Sequence, residues 1–471
     1  MRRVPGRPVY WIYAFVAVGL ALRAFHYLRC PSLWHDEAAL IINVLGLSFR
    51  EMLGPLLRDE AAPPLFLWIE RAVVLTFGDG EYALRLVPFL AGCLSMVLFA
   101  SLARRTLGPL AVVLAVGLFA VADRLLWHAS EAKPYSIDVL IAVAAAWWYV
   151  RTEGWPLWKR CVPAAVVAPF AIWVAFPTCF IAGGLLLGLL PAAVRSGWGG
   201  RLAYVGLAAA VFVPFVALAI GPAAAQRTAD MDSCWTTLFP DYSRPWFVPV
   251  WTVAALCEVA RYCFLPAGQV MILFAFFGGR AMWRRGERDR LRVIVLAVPL
   301  FLAFVAAFLH KYPVGGSRLE IFSAPMFCIL GAEGARWGIP ALAKRSRLLA
   351  VVAIVLLLCP FVQTAYRTVW LEHRAACDEA AAVVLAHRET ADAILINHWE
   401  YEYYFRALPP GAWRTWNGTF TADDTAAPRI WVVHTSVPAV PAFPFPLPDG
   451  WRVRETWAVR HTKVFLLDRG E

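Results

Sequence analysis

The side chains best able to do chemistry gather early, in residues 30–65, which read CPSLWHDEAALIINVLGLSFREMLGPLLRDEAAPPL. An acidic pair, Asp36 and Glu37, follows Trp34 and His35, and Arg58, Asp59 and Glu60 stand just ahead of Pro63 and Pro64. Only 16% of the chain is charged, so this density calls for a cause. A polar loop between apolar segments would account for any one of these charges. The pair as a whole fits a carboxylate held at a membrane surface, where it could take the proton of an attacking hydroxyl.

The elements that must position these residues are membrane helices. With 60% hydrophobic residues, a mean hydropathy of +0.60, 22 Trp and 30 Phe, the chain has more apolar surface than one soluble core can bury, so it is a polytopic membrane protein. Apolar runs predict about eleven transmembrane helices, near 10–28, 83–103, 109–126, 134–150, 162–176, 178–194, 202–220, 268–283, 292–309, 319–338 and 347–366. The first run follows Arg2, Arg3 and Arg7 and exceeds the core of a cleaved signal peptide, so it reads as a retained helix. The run 64–77 is short and carries Glu70 and Arg71, which suits a helix lying along the outer surface.

Charge then sets topology. The formal charge of +11 is spread over short loops, which is a topology signal and not a nucleic-acid stripe. Arg104/Arg105, Arg151/Lys159/Arg160, Arg195/Arg201, the arginines of 284–292 and the basic residues of 336–347 mark the cytoplasmic side of an inner (plasma) membrane. The opposite loops and everything beyond about residue 370 then face outward, with the N-terminus cytoplasmic. Residues 1–370 read as the transmembrane domain and 371–471 as a small extracytoplasmic α/β domain. Its helix is expected at 378–387 and its strands at 393–397, 429–434 and 463–468. Within it 437–448 reads as a proline-rich surface loop, and Tyr401, Tyr403, Tyr404 and Phe405 as a packed face rather than a sugar platform. The ten cysteines include no CxxC pair, and Cys257 and Cys263 read as small apolar fillers.

Where the charges sit separates reaction types. A transporter usually needs ionisable groups near mid-membrane. Here the helix centres are almost free of them, while Asp36, Glu37, Arg58, Asp59, Glu60, Arg85, His128, Glu131, Lys133, Asp138, Lys311 and Arg318 fall at outward helix ends and loops. That pattern predicts a pocket at the outer interface, open to water and to lipid headgroups. Glycosyl transfer from a polyprenyl-phosphate sugar suits it: one carboxylate acts as base, the leaving phosphate needs no acid, and Arg or Lys stabilises its charge. The alternative is a lipid or glycolipid transporter or flippase with an outward vestibule. His35, Asp36, Glu37, His128 and Glu131 could converge on Mg, Mn or Zn, but their spacing matches no strong metal signature.

Five motifs in order carry a family resemblance: WHDE at 34–37, DEAAPPL at 59–65, FGDGEYALR at 77–85, SEAKPYS at 130–136 and YPVGGSR at 312–318. Over roughly residues 10–340 the chain resembles GT-C membrane glycosyltransferases, in particular the dolichyl-phosphate-mannose protein mannosyltransferase (family 39) and aminoarabinose lipid A transferase group. The resemblance implies that Asp36 is the catalytic carboxylate and that Glu37 supports it or helps hold a metal or the acceptor. It implies lipid-phosphate binding by Lys133 and Arg318, with Arg58 next, and a hydrogen bond from Tyr135 to the donor. Asp59, Glu60 and Glu131 complete the expected substrate-binding set. One position departs from the pattern: Ala62, not His or Lys, precedes Pro63.

Overall fold

The computed structural model describes residues 6–266, 268–370, 376–436 and 442–470; Arg2, Arg3 and part of the expected 437–448 loop lie outside them. All eleven apolar runs are helical: Gly6–Arg29, Leu86–Thr106, Pro109–Val121, Tyr135–Arg151, Leu157–Val174, Thr178–Arg195, Trp198–Ile220, Gly268–Trp283, Glu287–Phe308, Ala324–Arg345 and Arg347–Val369. Among the described residues seven helices are long and apolar enough to cross a membrane, or eight if the bent pair Pro245–Cys263 and Gly268–Trp283 is one span. The remaining runs miss that length and composition for physical reasons. Pro109–Val121 has 13 residues and Tyr135–Arg151 has 17, while Ala324–Arg345 carries Glu333, Arg336, Lys344 and Arg345. At 1.5 Å per residue, a 13-residue helix spans only about two thirds of a ~30 Å hydrocarbon core.

Contacts divide the chain into two compact units, Met1–Arg29 with Ser48–Trp370, and Cys30–Leu47 with Leu371–Glu471. The second unit therefore takes in the segment that carries Asp36 as well as the C-terminal residues.

In the helical unit, association rests on close packing because lipid supplies no hydrophobic drive between helices. Gly268–Trp283 crosses Ala324–Arg345 backbone to backbone: a Cβ on Gly278 would strike the Leu330 carbonyl, and one on Gly334 the Phe274 carbonyl. The loops sort into two groups. Glu153 pairs with Arg288 (2.5 Å) and Arg292 (2.6 Å), Arg195 with Glu287 (2.6 Å) and Arg285 with Glu333. These are the loops expected on the cytoplasmic side. The other set joins through Tyr242 to the Phe308 carbonyl (2.5 Å), His310 to the Pro240 carbonyl (3.1 Å) and Val314 N–H to the Leu238 carbonyl (3.1 Å). The run 64–77 is a separate helix, Pro64–Phe77, opened by proline at its first position and ended by Gly78 at φ +89°.

The second unit holds helix His35–Gly46 and a five-stranded sheet of β1 (Ala393–Ile396), β2 (Trp413–Thr415), β3 (Arg429–Thr435), β4 (Trp451–Val459) and β5 (Thr462–Arg469), in the order β2-β1-β3-β5-β4. β1 runs parallel to β2 and β3, and β5 antiparallel to β3 and β4. Alternation along the strands makes two cores. Ile394, Ile396, Trp431, Val433, Val464 and Leu466 pack with helix Cys377–His387, Tyr401 and Phe405. Leu395, Ile430, Val432, Phe465 and Leu467 pack with Trp416 and Trp451. Tyr401, Tyr403 and Phe405 are buried, so this aromatic run is indeed a packed face. All ten cysteines are free thiols, and Cys263 is buried.

Candidate active site

Asp36 sits in the first turn of helix His35–Gly46, where the helix dipole favours a carboxylate, and it is half-buried. Glu37 does a different job. Its side chain folds back so that its Oε2 accepts the Trp34 N–H at 3.4 Å, one half of a capping box, and only 2% of the residue is exposed. The turn ahead of the helix is latched within its own unit: Leu33 N–H donates to the Tyr404 hydroxyl at 2.7 Å, and Trp399 Nε1–H donates to the His35 carbonyl at 3.0 Å. The Trp399 ring also lies on the His35 imidazole, centroids 3.8 Å apart. This latch is made by the short helix Glu400–Tyr404 and by Trp399 just ahead of it.

 Glu400 opens that short helix and faces two imidazoles. Its Oε1 lies 3.2 Å from His35 Nδ1 and its Oε2 lies 3.4 Å from His398 Nδ1. Burial pushes the Glu400 carboxyl up, but the facing imidazoles outweigh this and hold it down at about 2.

In the helical unit a second group assembles from four separate stretches of chain. His128 Nδ1 meets Glu131 Oε2 at 2.5 Å and its Nε2 meets the Tyr262 hydroxyl at 2.8 Å, with His128 and Glu131 both buried. The Tyr135 ring stands edge-on to His128 at 4.9 Å. Arg318 lies over the rings of Tyr135 (5.8 Å) and Trp235 (5.9 Å), and Arg124 lies over Tyr262 (4.9 Å). The local sequence explains how Arg318 is placed. Gly316 takes φ +82° and a Cβ there would press on the Glu258 backbone, so the turn demands glycine. Ser317 then caps Arg318–Ser323: its hydroxyl accepts from Leu319 N–H at 3.2 Å, while Glu320 Oε2 accepts the Ser317 N–H at 2.8 Å.

Lys133 is only 2% exposed and its ammonium donates to Glu60 Oε2 at 2.5 Å, so it carries its own counter-charge. Arg58 and Asp59 are exposed and both adopt left-handed backbone, φ +62° and +49°, a strained conformation for such residues. Ala62 is buried and gives its N–H to Gln226 Oε1 at 3.1 Å.

For metal ligation the structure regroups the expected residues. His128 and Glu131 engage one another and Tyr262, and Asp36 and Glu37 fall outside the one metal-competent group among the described residues, which is His35, His398 and Glu400. Sequence reading had not singled out His398, Glu400, Arg124, Tyr262 or Trp235. Only Arg124 carried a signal: a cation near the end of the apolar run 109–126.

Residues 61–220 match the family model for dolichyl-phosphate-mannose-protein mannosyltransferase, a span that includes Glu131, Lys133 and Tyr135. No curated protein matches the chain. Among solved structures, ArnT from Cupriavidus metallidurans bound to undecaprenyl phosphate is similar at a TM-score of 0.54 and 14% identity, over 97% of this chain and 98% of that one. The Archaeoglobus fulgidus oligosaccharyltransferase AglB is similar in two states. With an inhibitory peptide and a dolichol-phosphate the TM-score is 0.50 at 12% identity, over 90% of this chain and 69% of that one. With Zn and sulfate it is 0.51 at 12% identity, over 89% and 67%. At such identities the likeness is one of fold: this is an α-helical polytopic membrane protein of GT-C-like architecture with a small C-terminal α/β region.

Proposed function

We propose that the chain is an integral membrane glycosyltransferase that moves a hexosyl or pentosyl group from a polyprenyl-phosphate donor to an extracytoplasmic acceptor hydroxyl. The observation that carries this reading is the contiguous group Arg124, Tyr262, His128, Glu131, Tyr135 and Arg318, two guanidiniums held over tyrosine rings at one set of loops. Such a group suits a lipid-linked phosphate, and the family match and the GT-C-like fold support a donor of that kind. The transporter reading lacks comparable support.

In this mechanism Asp36 takes the acceptor proton as the hydroxyl oxygen attacks the anomeric carbon. The bond from that carbon to the phosphate oxygen breaks on the opposite face, so the configuration inverts and polyprenyl phosphate departs as an anion. Arg318 and Arg124 stabilise the departing charge, and the Tyr135 hydroxyl orients the donor. Glu37 holds the turn that presents Asp36. The basic loops of 104–105, 151–160, 195–201, 284–292 and 336–347 face the cytoplasm in this reading, which puts residues 371–471 outside as an α/β domain.

The test is transfer by the purified protein in lipid, given a panel of polyprenyl-phosphate-linked hexoses and pentoses. Asp36→Asn should remain folded and lose about 10²–10⁴-fold in rate, the share a general base supplies. Transfer at the normal rate by that variant refutes the base assignment. Labelled lipid crossing vesicles without any glycosylated product refutes the transferase reading itself.

A further inference from the structure

His35, His398 and Glu400 lie outside the donor-binding group, yet their ligand atoms fall within 4.8 Å of one another. An imidazole nitrogen stands beside each carboxylate oxygen, His35 Nδ1 at 3.2 Å from Oε1 and His398 Nδ1 at 3.4 Å from Oε2, close to the ~3.3–3.5 Å between neighbouring ligand atoms on zinc bonds of ~2.0–2.2 Å. A second observation points the same way. The Glu400 side chain is 6% exposed, and its Oε2 and the facing His398 Nδ1 are both buried with no hydrogen-bond partner. Two buried ligand atoms 3.4 Å apart that share no well-formed hydrogen bond are arranged as ligands of a common ion would be.

We propose that these three residues bind one zinc ion, with water as the fourth ligand, and that the ion fastens the start of helix His35–Gly46 to the C-terminal domain. Two imidazoles and one carboxylate favour zinc over magnesium, which prefers an all-oxygen shell. The His35 side chain is 39% exposed, which supplies the entry path and the open fourth position. His398 and Glu400 are fixed by the turn between β1 and helix Glu400–Tyr404, and His35 reaches them from 365 residues before Glu400. Because His35 immediately precedes Asp36, the ion is a positioning device for the first helical turn; that consequence rests on Asp36 being the base. Metal binding does not. The Leu33–Tyr404 and Trp399–His35 hydrogen bonds hold the same segment without metal, so ligand variants retain their fold.

The test uses the full chain in lipid nanodiscs with any affinity tag removed, stripped with chelator and titrated with zinc or magnesium. Bound metal is read by elemental mass spectrometry and thermal stability by tryptophan fluorescence. One zinc per chain and a raised Tm are expected, with no shift from magnesium. His35→Ala, His398→Ala and Glu400→Gln should each weaken zinc binding more than the ~10–100-fold loss typical of an outer-shell partner. If a variant fails to fold, cobalt substituted into the wild-type chain decides: the absorption of four-coordinate cobalt is expected, and its absence overturns the site. Zinc bound equally by all three folded variants, or no stoichiometric zinc in the wild type, also overturns it. Asp36→Asn should bind zinc normally. Zinc binding without transfer by the wild type would refute the transferase reading and leave the metal site standing, and transfer with no zinc bound would do the reverse.

Discussion

Removing the Glu60 carboxylate should destabilise the protein more than removing both members of its ion pair with Lys133. The ammonium is 2% exposed and the Glu60 side chain 14%, at a separation of 2.5 Å, so neither charge has ready access to water. Glu60→Gln leaves the ammonium buried without a counter-charge, which costs about 3–5 kcal/mol, whereas replacing the whole pair with apolar or neutral groups of similar volume is often near neutral. A double-mutant cycle of Glu60→Gln, Lys133→Met and the double variant, followed by denaturant unfolding in nanodiscs, measures the coupling. Additivity within about 0.5 kcal/mol refutes the reasoning. The same pair bears on donor binding. An ammonium already neutralised by Glu60 is a poor phosphate clamp, so Lys133→Met should raise the donor KM less than Arg318→Ala does. Glu60→Gln should lower the donor KM even as it lowers stability. A donor KM that rises most in Lys133→Met and does not move in Glu60→Gln would restore Lys133 as the principal phosphate ligand.

Arg318→Ala should weaken donor binding by about 10–100-fold, the value of a charge-assisted hydrogen bond worth ~1.5–3 kcal/mol, and unchanged donor affinity by titration would count against its role. Gly334→Leu should destabilise the helical unit by at least about 1–3 kcal/mol because its side chain meets the Phe274 backbone, while Gly279→Ala, whose nearest neighbour is 3.9 Å away, should be tolerated. Unfolding midpoints of the two variants check this, and equal midpoints would refute the close crossing. Burial raises the Asp392 carboxyl, but hydrogen bonds from Arg429 and Trp431 outweigh it and leave the group below its ordinary value. Its stabilising contribution is therefore complete above the unfolded pKa of ~3.9 and is lost as pH falls through the lower folded value. Asp392→Asn should be less stable than wild type at neutral pH and converge with it in acid, whereas a gap independent of pH would refute the assignment.

The membrane helices were legible because a long apolar run has few other uses, and every one of the eleven runs is helical. Their number as spans was not, since Ala324–Arg345 is long yet carries charge that packing alone accommodates, such as Glu333 against Arg285, Arg336 and Trp337. In the C-terminal region β1, β3 and β5 announced themselves as apolar runs. β2 has three residues, and β4, WRVRETWAV, is an edge strand with three charged residues, so neither carries a strong strand pattern. The metal-competent group was invisible for another reason. Its two parts lie 365 residues apart, and an isolated histidine in a loop gives no spacing to read.

The acidic pair illustrates how adjacent residues acquire different work. Successive side chains on a helix diverge by about 100°, so Asp36 and Glu37 cannot both point at one substrate. The fold resolves this by turning Glu37 inward, where it caps the Trp34 N–H and is 2% exposed, and by leaving Asp36 half-buried in the same turn. A reaction with two acid–base groups would be poorly served by such an arrangement. Transfer from a phosphate leaving group is well served, because the departing oxygen is already a stable anion and needs no proton. The division of labour between the two carboxylates therefore matches the chemistry of a phosphate-linked donor more closely than that of glycoside hydrolysis, where two carboxyl groups must both face the scissile bond.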